Sequence, residues 1–399
     1  MLQGSGLRRR VLGLLGHRDQ VTDEAPRPPE WIVLCVNNVC NLRCRMCDVG
    51  LGDPTTSFWD NLIGEHPRNM TPDLLRQVLR QAAAFRPRPK IGLAFTEPLI
   101  HPQILDLCRS VLEAGLYCSV TTNGSTLPRL AAALVDMGLD ALHVSVDGPP
   151  AVHDDVRRAR GSFEKLFTGC QAIQAAKAAH RASRPELGIS FTVTDRNAAH
   201  IVEFLESVAP LRPDLVNVSH LNFITERMAS VHNARHGEDL DGRLRVVRSN
   251  LGEIEPAALD TAALAEELRL ARRLVAERRR ELPKVTFVPD TVEPGALATY
   301  YQDELSFVGG RSCTDPWAML MVKTDGTVIP SHGRCYSVPV GNVTEQGLAE
   351  IWNGVPLRRF RRTLLDAGGA LPACARCCGV VGKPVRSSLK PAARRPRPS

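Results

Sequence analysis

Cys40, Cys44 and Cys47 stand in the run Val39-Cys40-Asn41-Leu42-Arg43-Cys44-Arg45-Met46-Cys47, after the apolar, strand-like segment Trp31 to Val36. The spacing C-x3-C-x2-C puts three thiolates on one short loop and supplies no fourth. Thiolates are the usual ligands of iron–sulfur clusters. Three of them can hold three irons of a cubane and leave the fourth iron open to a substrate or cofactor. The same spacing could begin a zinc knuckle, which needs a fourth ligand. The nearest candidates are Cys35, on the strand itself, and His66, well downstream.

A second set of thiols lies far along the chain, at Cys313, Cys335 and the run Cys374-Ala375-Arg376-Cys377-Cys378. Between the first two falls a hairpin-like stretch, Val322 to Pro330, in which Asp325-Gly326 is a strong turn signal. Then come Gly341-Asn342-Val343 and a helix-like Leu348 to Trp352. Cys313, Cys335, Cys374 and Cys377 would make a closed set of four, suited to a cubane or to tetrahedral zinc. Of the cysteines outside the two sets, Cys108 and Cys170 fall on expected helices, and Cys118 has the opposite strand parity to Asn123.

Both sets need elements to position them. Strand-like runs occur at Lys90–Phe95, Tyr117–Thr121, Ala141–Val146, Gly188–Val193 and Leu215–Ser219, with helical patterns between them. Thr71-Pro72-Asp73 opens one such helix, with Thr as N-cap and Pro in the first turn. Strands alternating with helices predict a parallel sheet wound by right-handed crossovers. Six units are fewer than a full eight-fold barrel needs, and ligands are expected at the carboxyl ends of the strands. Asp260 to Glu281 carries Leu264, Leu268, Ala271 and Val275 as one helical stripe. His232 to Glu255 lacks clean periodicity and is expected to form a loop over the site, with His220, His232 and His236 near its mouth.

The cysteine motif and the strand ends resemble the radical S-adenosylmethionine (radical SAM) superfamily, in which the open iron chelates SAM and a 5′-deoxyadenosyl radical is released. The resemblance implies an α/β fold, a partial (β/α)6 barrel, followed by a small α+β domain. It implies a [4Fe–4S] cluster with SAM at Cys40, Cys44 and Cys47. Glu97, in Thr96-Glu97-Pro98, matches the acidic residue of the family's Gly-Gly-Glu-Pro motif, although Phe95 and Thr96 stand where the glycines would be. Thr96, Thr122, Asn123, Ser145, Asp147 and Thr192 match SAM-contacting positions, with Asp147 suited to a ribose hydroxyl. Arg160 resembles the basic residue that meets the SAM carboxylate, and Met46 occupies an apolar slot beside the adenine. The downstream module resembles the SPASM or twitch extension. It implies one auxiliary [4Fe–4S] cluster on Cys313, Cys335, Cys374 and Cys377, because no cysteine follows Cys378. Pro330-Ser331 replaces the usual Pro-Cys, so Cys335 is a displaced match.

The expected divisions are an N-terminal extension 1–29, a barrel 30–222, a bridging region 223–310, an auxiliary domain 311–380 and a basic tail 381–399. The formal charge is +7, but the tail holds Lys383, Arg386, Lys390, Arg394, Arg395 and Arg397 with no acid, and the remainder carries +1. The Pro- and Arg-rich tail reads as disordered. A nearly neutral body gives no reason to expect nucleic acid, and no segment reaches membrane-spanning length. Twelve cysteines, seven of them in ligand patterns, and no convincing signal peptide point to a reducing, cytoplasmic setting.

The resemblance also implies the reaction class. An auxiliary cluster able to accept an electron favours net two-electron oxidation of a small hydroxylated metabolite, such as a sugar, aminosugar or cyclitol, in natural-product biosynthesis. The electron donor would be a flavodoxin or ferredoxin. An epimerase with Cys378 as hydrogen-atom donor, a maturase of a ribosomal peptide and a zinc-stabilised binding protein are the alternatives. The stretch Met1 to Pro29 is too short for the winged-helix leader-binding domain common in peptide-modifying relatives.

Overall fold

Ten strands join in one sheet in the computed structural model, which describes residues 23–381 apart from 26, 65, 67, 309 and 310. The basic tail and most of the N-terminal extension lie outside the described residues. Six strands follow the expected order, each paired parallel to the next: β1 (Trp31–Leu34), β2 (Lys90–Leu93), β3 (Tyr117–Thr122), β4 (Ala141–Ser145), β5 (Glu186–Val193) and β6 (Leu215–His220). On each strand the residues of the helix-covered face are fully buried, and those of the other face are buried or half-buried. Ile189, Phe191 and Val193 of β5 are all buried.

The sheet extends beyond those six strands at both ends. β7 (Val285–Val288) adds parallel to β6, within the bridging region. Its signal in the sequence is short but present, a β-branched and aromatic run, Val285-Thr286-Phe287-Val288, ahead of Pro289. At the other edge β8 (Met319–Val322) pairs parallel with β1, setting Trp31 opposite Met319 and Leu34 opposite Val322. β9 (Thr327–Ile329) and β10 (Gly341–Asn342) continue antiparallel. The auxiliary hairpin is therefore part of the barrel's own sheet. Its turn closes where expected, with Gly326 at φ 87°.

Helices cover the outer face. Helix Pro72–Ala84 starts at Thr71, whose Oγ1 accepts the Leu74 amide at 3.2 Å, and buries Leu75, Val78, Leu79 and Ala82 along one stripe. Helix Thr261–Glu277 is capped by Asp260 and buries Leu264, Leu268 and Ala271, as the periodicity predicts. The stretch expected to be a loop instead opens in helix Glu226–His236, which carries His232 and His236, before passing into turns. Among the described residues no helix is long and apolar enough to cross a membrane.

Strand parity divides the core. Ile32 and Leu34 face the main helix-covered core, while Val33 and Cys35 join Phe58, Leu62, Met321 and Ile329 in a smaller cluster on the other face of β1 and β8. Cys47, Ala94 and Phe95 pack against this smaller cluster, so it floors the space into which the strand-end loops converge.

The turn after β3 is built around Gly124, at φ +79°, where an added Cβ would fall 2.5 Å from Leu166 Cβ. Gly124→Ala is expected to cost about 1–3 kcal/mol through overpacking. Thermal unfolding followed by circular dichroism measures it; an unchanged midpoint would show that Leu166 does not press on this turn.

Candidate functional site

The loops after β1, β2 and β3 are tied into one unit by buried side chains. Asn37, fully buried, donates from Nδ2 to the Glu97 carbonyl at 2.8 Å and accepts the Thr96 hydroxyl at its own carbonyl (2.8 Å) and at Oδ1 (2.6 Å). Cys40, Cys44 and Cys47 follow on this anchored loop. Cys35 is turned away, its Sγ 2.9 Å from the Asn37 carbonyl, and His66 is exposed. Neither provides a fourth donor to the triad.

Glu97 is completely buried, and both its oxygens are engaged. Oε1 accepts the Thr122 hydroxyl at 2.7 Å and the Leu99 amide at 3.0 Å; Oε2 accepts the Asn123 amide at 2.6 Å. Burial raises its pKa, and those donors oppose the rise. The carboxylate thus fixes the turn that presents Asn123. Asn123 in turn donates to Asn41 Oδ1 at 2.9 Å and brings its Nδ2 to 4.0 Å from Cys40 Sγ. In this structure Glu97 braces the cysteine loop from behind, where the motif resemblance has it facing a ligand.

The same holds for Asp147. It is fully buried, accepts the Thr192 amide at 3.0 Å and pairs through Oδ2 with Arg157 Nε at 2.6 Å, so no carboxylate edge is open to a ribose. Arg157 then places Nη1 3.8 Å from Cys44 Sγ. Arg160, the expected basic residue, is exposed. The reason is local: helix Pro150–Arg157 ends as Arg158 turns to φ 50°, which leaves Arg160 in the outward turn and Arg157 on the inward face of the last helical turn. His153 and Arg157, four residues apart and therefore on one face, were the available signal. Ser145 is half-buried at the end of β4, opposite Ser190. Met46 is buried in the main core. Turns of the bridging region close over the loop, with the Asp48 carboxylate accepting the Ser249 hydroxyl at 2.6 Å and the Asn250 amide at 2.8 Å.

Phe95 takes φ 85°, a conformation glycine adopts freely and a bulky residue resists. Its ring lies in the small inner cluster, 6.4 Å from the His332 ring. The aromatic residue thus spends backbone strain to fill the seam between the barrel and the second cysteine site.

That second site collects Cys313, Cys335, Cys374, Cys377 and Cys378. Arg376 anchors it: wholly buried, the guanidinium donates to the carbonyls of Thr299 (2.7 Å), Asp303 (2.7 Å) and Ser306 (2.7 Å), and lies 5.0 Å from the Tyr300 ring. The Cys374–Cys377 turn is thereby pinned to helix Pro294–Gln302. The Tyr336 hydroxyl sits 3.4 Å from Cys374 Sγ. Where the chain has Ser331 in place of a cysteine, the next residue, His332, brings Nε2 to 3.7 Å from Cys377 Sγ and 3.6 Å from Cys378 Sγ. His332 Nδ1 accepts the Arg334 amide at 3.2 Å, which leaves the ring proton on Nε2, facing sulfur. His332 is thus a hydrogen-bond donor to these thiols. Nothing in the sequence marked it beyond its place beside Ser331.

His220, His232 and His236 do not meet at the mouth. His220 is buried, with Nδ1 2.6 Å from the Tyr301 hydroxyl, and burial pushes its pKa down to about 3. His232 contacts the Leu244 carbonyl at 2.7 Å, and His236 pairs with Asp239 at 2.9 Å.

The donor chemistry of the Cys40–Cys44–Cys47 triad fits an iron–sulfur cluster. Burial raises Cys44 to about 12 and raises Cys40 and Cys47 as well, so these thiols need a bound cation to ionise. Around a single zinc ion, ligand atoms would lie about 3.5–3.8 Å apart. The set of three donors brought that close is His332, Cys377 and Cys378, within 4.8 Å of one another among the described residues, and the Cys40–Cys44–Cys47 triad is more widely spaced. A cubane, with each thiolate on its own iron, suits that wider spacing.

Comparison with known proteins agrees with this geometry. Residues 34–219 match the radical SAM superfamily, and residues 313–378 match the SPASM iron–sulfur cluster-binding domain. The chain is 24% identical over 361 residues to the pre-heme d1 synthase of Dinoroseobacter shibae, covering 88% of this chain and 81% of that one. It is 30% identical over 184 residues to the AdoMet-dependent heme synthase of Methanosarcina barkeri, covering 46% of this chain and 47% of that one. The solved structure of native anSMEcpe with bound AdoMet shares the fold, with a TM-score of 0.56 at 17% identity over 84% of this chain and 83% of that one.

Glu97→Ala is expected to leave the Asn123 and Leu99 amides unpaired in the interior, at a cost of about 1–3 kcal/mol for each buried donor. Because Asn123 braces the Cys40 loop, iron retained by the anaerobically purified protein should fall as well as the thermal midpoint. Wild-type values for both would remove Glu97 from the support of this loop.

Proposed function

The chain is a radical SAM superfamily enzyme with a C-terminal SPASM iron–sulfur domain, and from that premise we propose that it performs a net two-electron oxidation of a small hydroxylated metabolite. Cys40, Cys44 and Cys47 would hold the SAM-binding [4Fe–4S] cluster. Cys313, Cys335, Cys374 and Cys377 would hold one auxiliary cluster. When bound, these groups supply reductive cleavage of SAM at one site and an electron acceptor at the other.

The observation that carries the reading is the parallel pairing of β8 with β1. It supports a short path between the two sites together with Asn61, which follows the triad and donates to the Gly333 and Cys335 carbonyls of the loop that runs on from antiparallel β9. The residues between them have separate tasks. Arg157, held by Asp147, keeps a positive charge beside Cys44 and is our candidate for the SAM carboxylate, a pairing that suits a guanidinium fork. Asn123 and Thr122, held by Glu97, shape the wall beside Cys40. Ser145 and Thr192 lie at the ends of β4 and β5, where SAM contacts are proposed. Phe58, Leu62 and Phe95 line an apolar floor that limits water at the reacting carbon.

A second reading rests on Cys378. It is surplus to a set of four ligands, and its Sγ lies 3.6 Å from His332 Nε2. A thiol there could return a hydrogen atom to a substrate radical, and the reaction would then be an epimerisation.

Iron analysis and product mass separate the readings. For the oxidation, wild-type protein should hold about eight irons, from two four-iron clusters, and a Cys374→Ala/Cys377→Ala variant about four. The product should be lighter by two hydrogens, and that variant should cleave SAM without forming it. Unchanged product mass with one solvent deuterium, lost in Cys378→Ala, would overturn oxidation in favour of epimerisation. About four irons with zinc at the second site would remove the electron acceptor.

A further inference from the structure

Arg334 lies on the loop Ser331–Cys335 that connects the hairpin to the auxiliary cysteines, and it is exposed. Among the described residues its guanidinium has no ion pair and no hydrogen bond, and it lies over the face of Phe58, 5.1 Å from the ring centroid. Three other guanidiniums near the two sites are committed. Arg157 pairs with Asp147, Arg45 with Asp155 and Glu253, and Arg376 with backbone carbonyls. A guanidinium lying on an aromatic face keeps its N–H edge free, in the fork geometry that matches an oxyanion.

The loop holding Arg334 is built with care. Asn61, fully buried on helix Ser57–Leu62, donates from Nδ2 to the Gly333 carbonyl at 3.1 Å and to the Cys335 carbonyl at 2.8 Å, clamping the residues on either side of Arg334. The Arg334 amide itself is taken by His332 Nδ1. Gly333 seats the loop against Leu62, where a Cβ would come within 2.8 Å of Leu62 Cδ2. Phe58 and Leu62 come from the same helix as Asn61, so one element supplies the clamp, the seat and the aromatic platform. A solvated surface arginine has no need of this support, whereas a binding group does, because pre-ordering lowers the entropic cost of holding a ligand.

The position is also specific. Phe58 belongs to the inner cluster against which Cys47 packs, and Arg334 is flanked in the chain by Cys335 and, two residues back, by His332, whose Nε2 faces Cys377 and Cys378. It is therefore a free cation between the two cysteine sites.

We propose that Arg334 binds an oxyanion of the substrate, a carboxylate or a phosphate, and thereby holds the substrate between the two cysteine sites. This narrows the substrate class from a hydroxylated metabolite to an anionic one. It rests on the reading above only in placing the reaction between those sites.

The test is ligand-observed saturation-transfer NMR on the full-length, anaerobically reconstituted protein with SAM, using glucuronate, glucose 6-phosphate and uncharged glucose as probes. Wild-type protein should retain at least one charged probe more tightly than glucose, and which one identifies the oxyanion. Arg334→Gln should weaken that probe by about ten- to hundredfold, the loss of a charge-assisted pair. Arg334→Lys should fall between the two, and Asn61→Ser should weaken the charged probe while leaving Arg334 in place. Equal retention of charged and uncharged probes, retention of none, or affinity unchanged in Arg334→Gln would each overturn the proposal. Iron content measured on the same samples reports separately on the auxiliary cluster, so a zinc-filled second site would defeat the oxidation reading and leave the Arg334 result standing.

Discussion

The parallel pairing of β8 with β1 is the constraint on which the rest of the molecule depends. β1 leads directly into the cysteine triad, and β8 leads through its hairpin into the Ser331–Cys335 loop. Four residues of each strand lie in register, and the Cys35 amide extends the ladder to the Val322 carbonyl at 3.0 Å. Two sequence segments almost three hundred residues apart are thereby fixed side by side with the rigidity of a sheet. A flexible linker between two domains would leave their separation to chance.

The interface that this pairing creates is packed tightly enough to impose local costs. Phe95 adopts a backbone conformation suited to glycine because its ring is needed in the seam, against the cluster of Val33, Phe58, Leu62 and Met321. Strain of this kind persists only where the surroundings over-determine it. Here Thr96 and Glu97, the next two residues, are locked to Asn37 and to the turn after β3. The substitution that looks like a departure from a glycine motif is the structural counterpart of the auxiliary module.

Charge is handled in the same interior manner. The carboxylates of Glu97 and Asp147 are both fully buried and both satisfied, one by amides and a hydroxyl, the other by an amide and Arg157. Each acts one step behind the residue nearest the thiols, Asn123 in the first case and Arg157 in the second. Buried polar networks of this sort hold geometry well when every member is paired and poorly when one is not. Arg376 does the equivalent work for the second site with backbone carbonyls alone.

Much of this was legible in the chain itself. Strand positions follow from local apolar runs, the helix starts from Thr71-Pro72 and Asp260, the hairpin from Asp325-Gly326, and both cysteine sets from spacing, because each depends on residues near one another in sequence. What remained hidden depends on distance. Neither the sequence of β1 nor that of β8 names its neighbour, since backbone ladders carry no partner code. Whether Asp147 and Glu97 face a ligand or brace a loop is decided by which donors the fold delivers to them. Arg157 outranks Arg160 because a helix ends between them, and Arg334 differs from the other exposed arginines only through the clamp that Asn61 brings from a helix some 270 residues away. The sequence by itself determined the chemical class, because thiol spacing is local. The tertiary structure alone decided that the two cysteine segments hang on one sheet, because that required long-range strand pairing to bring together groups the chain keeps far apart.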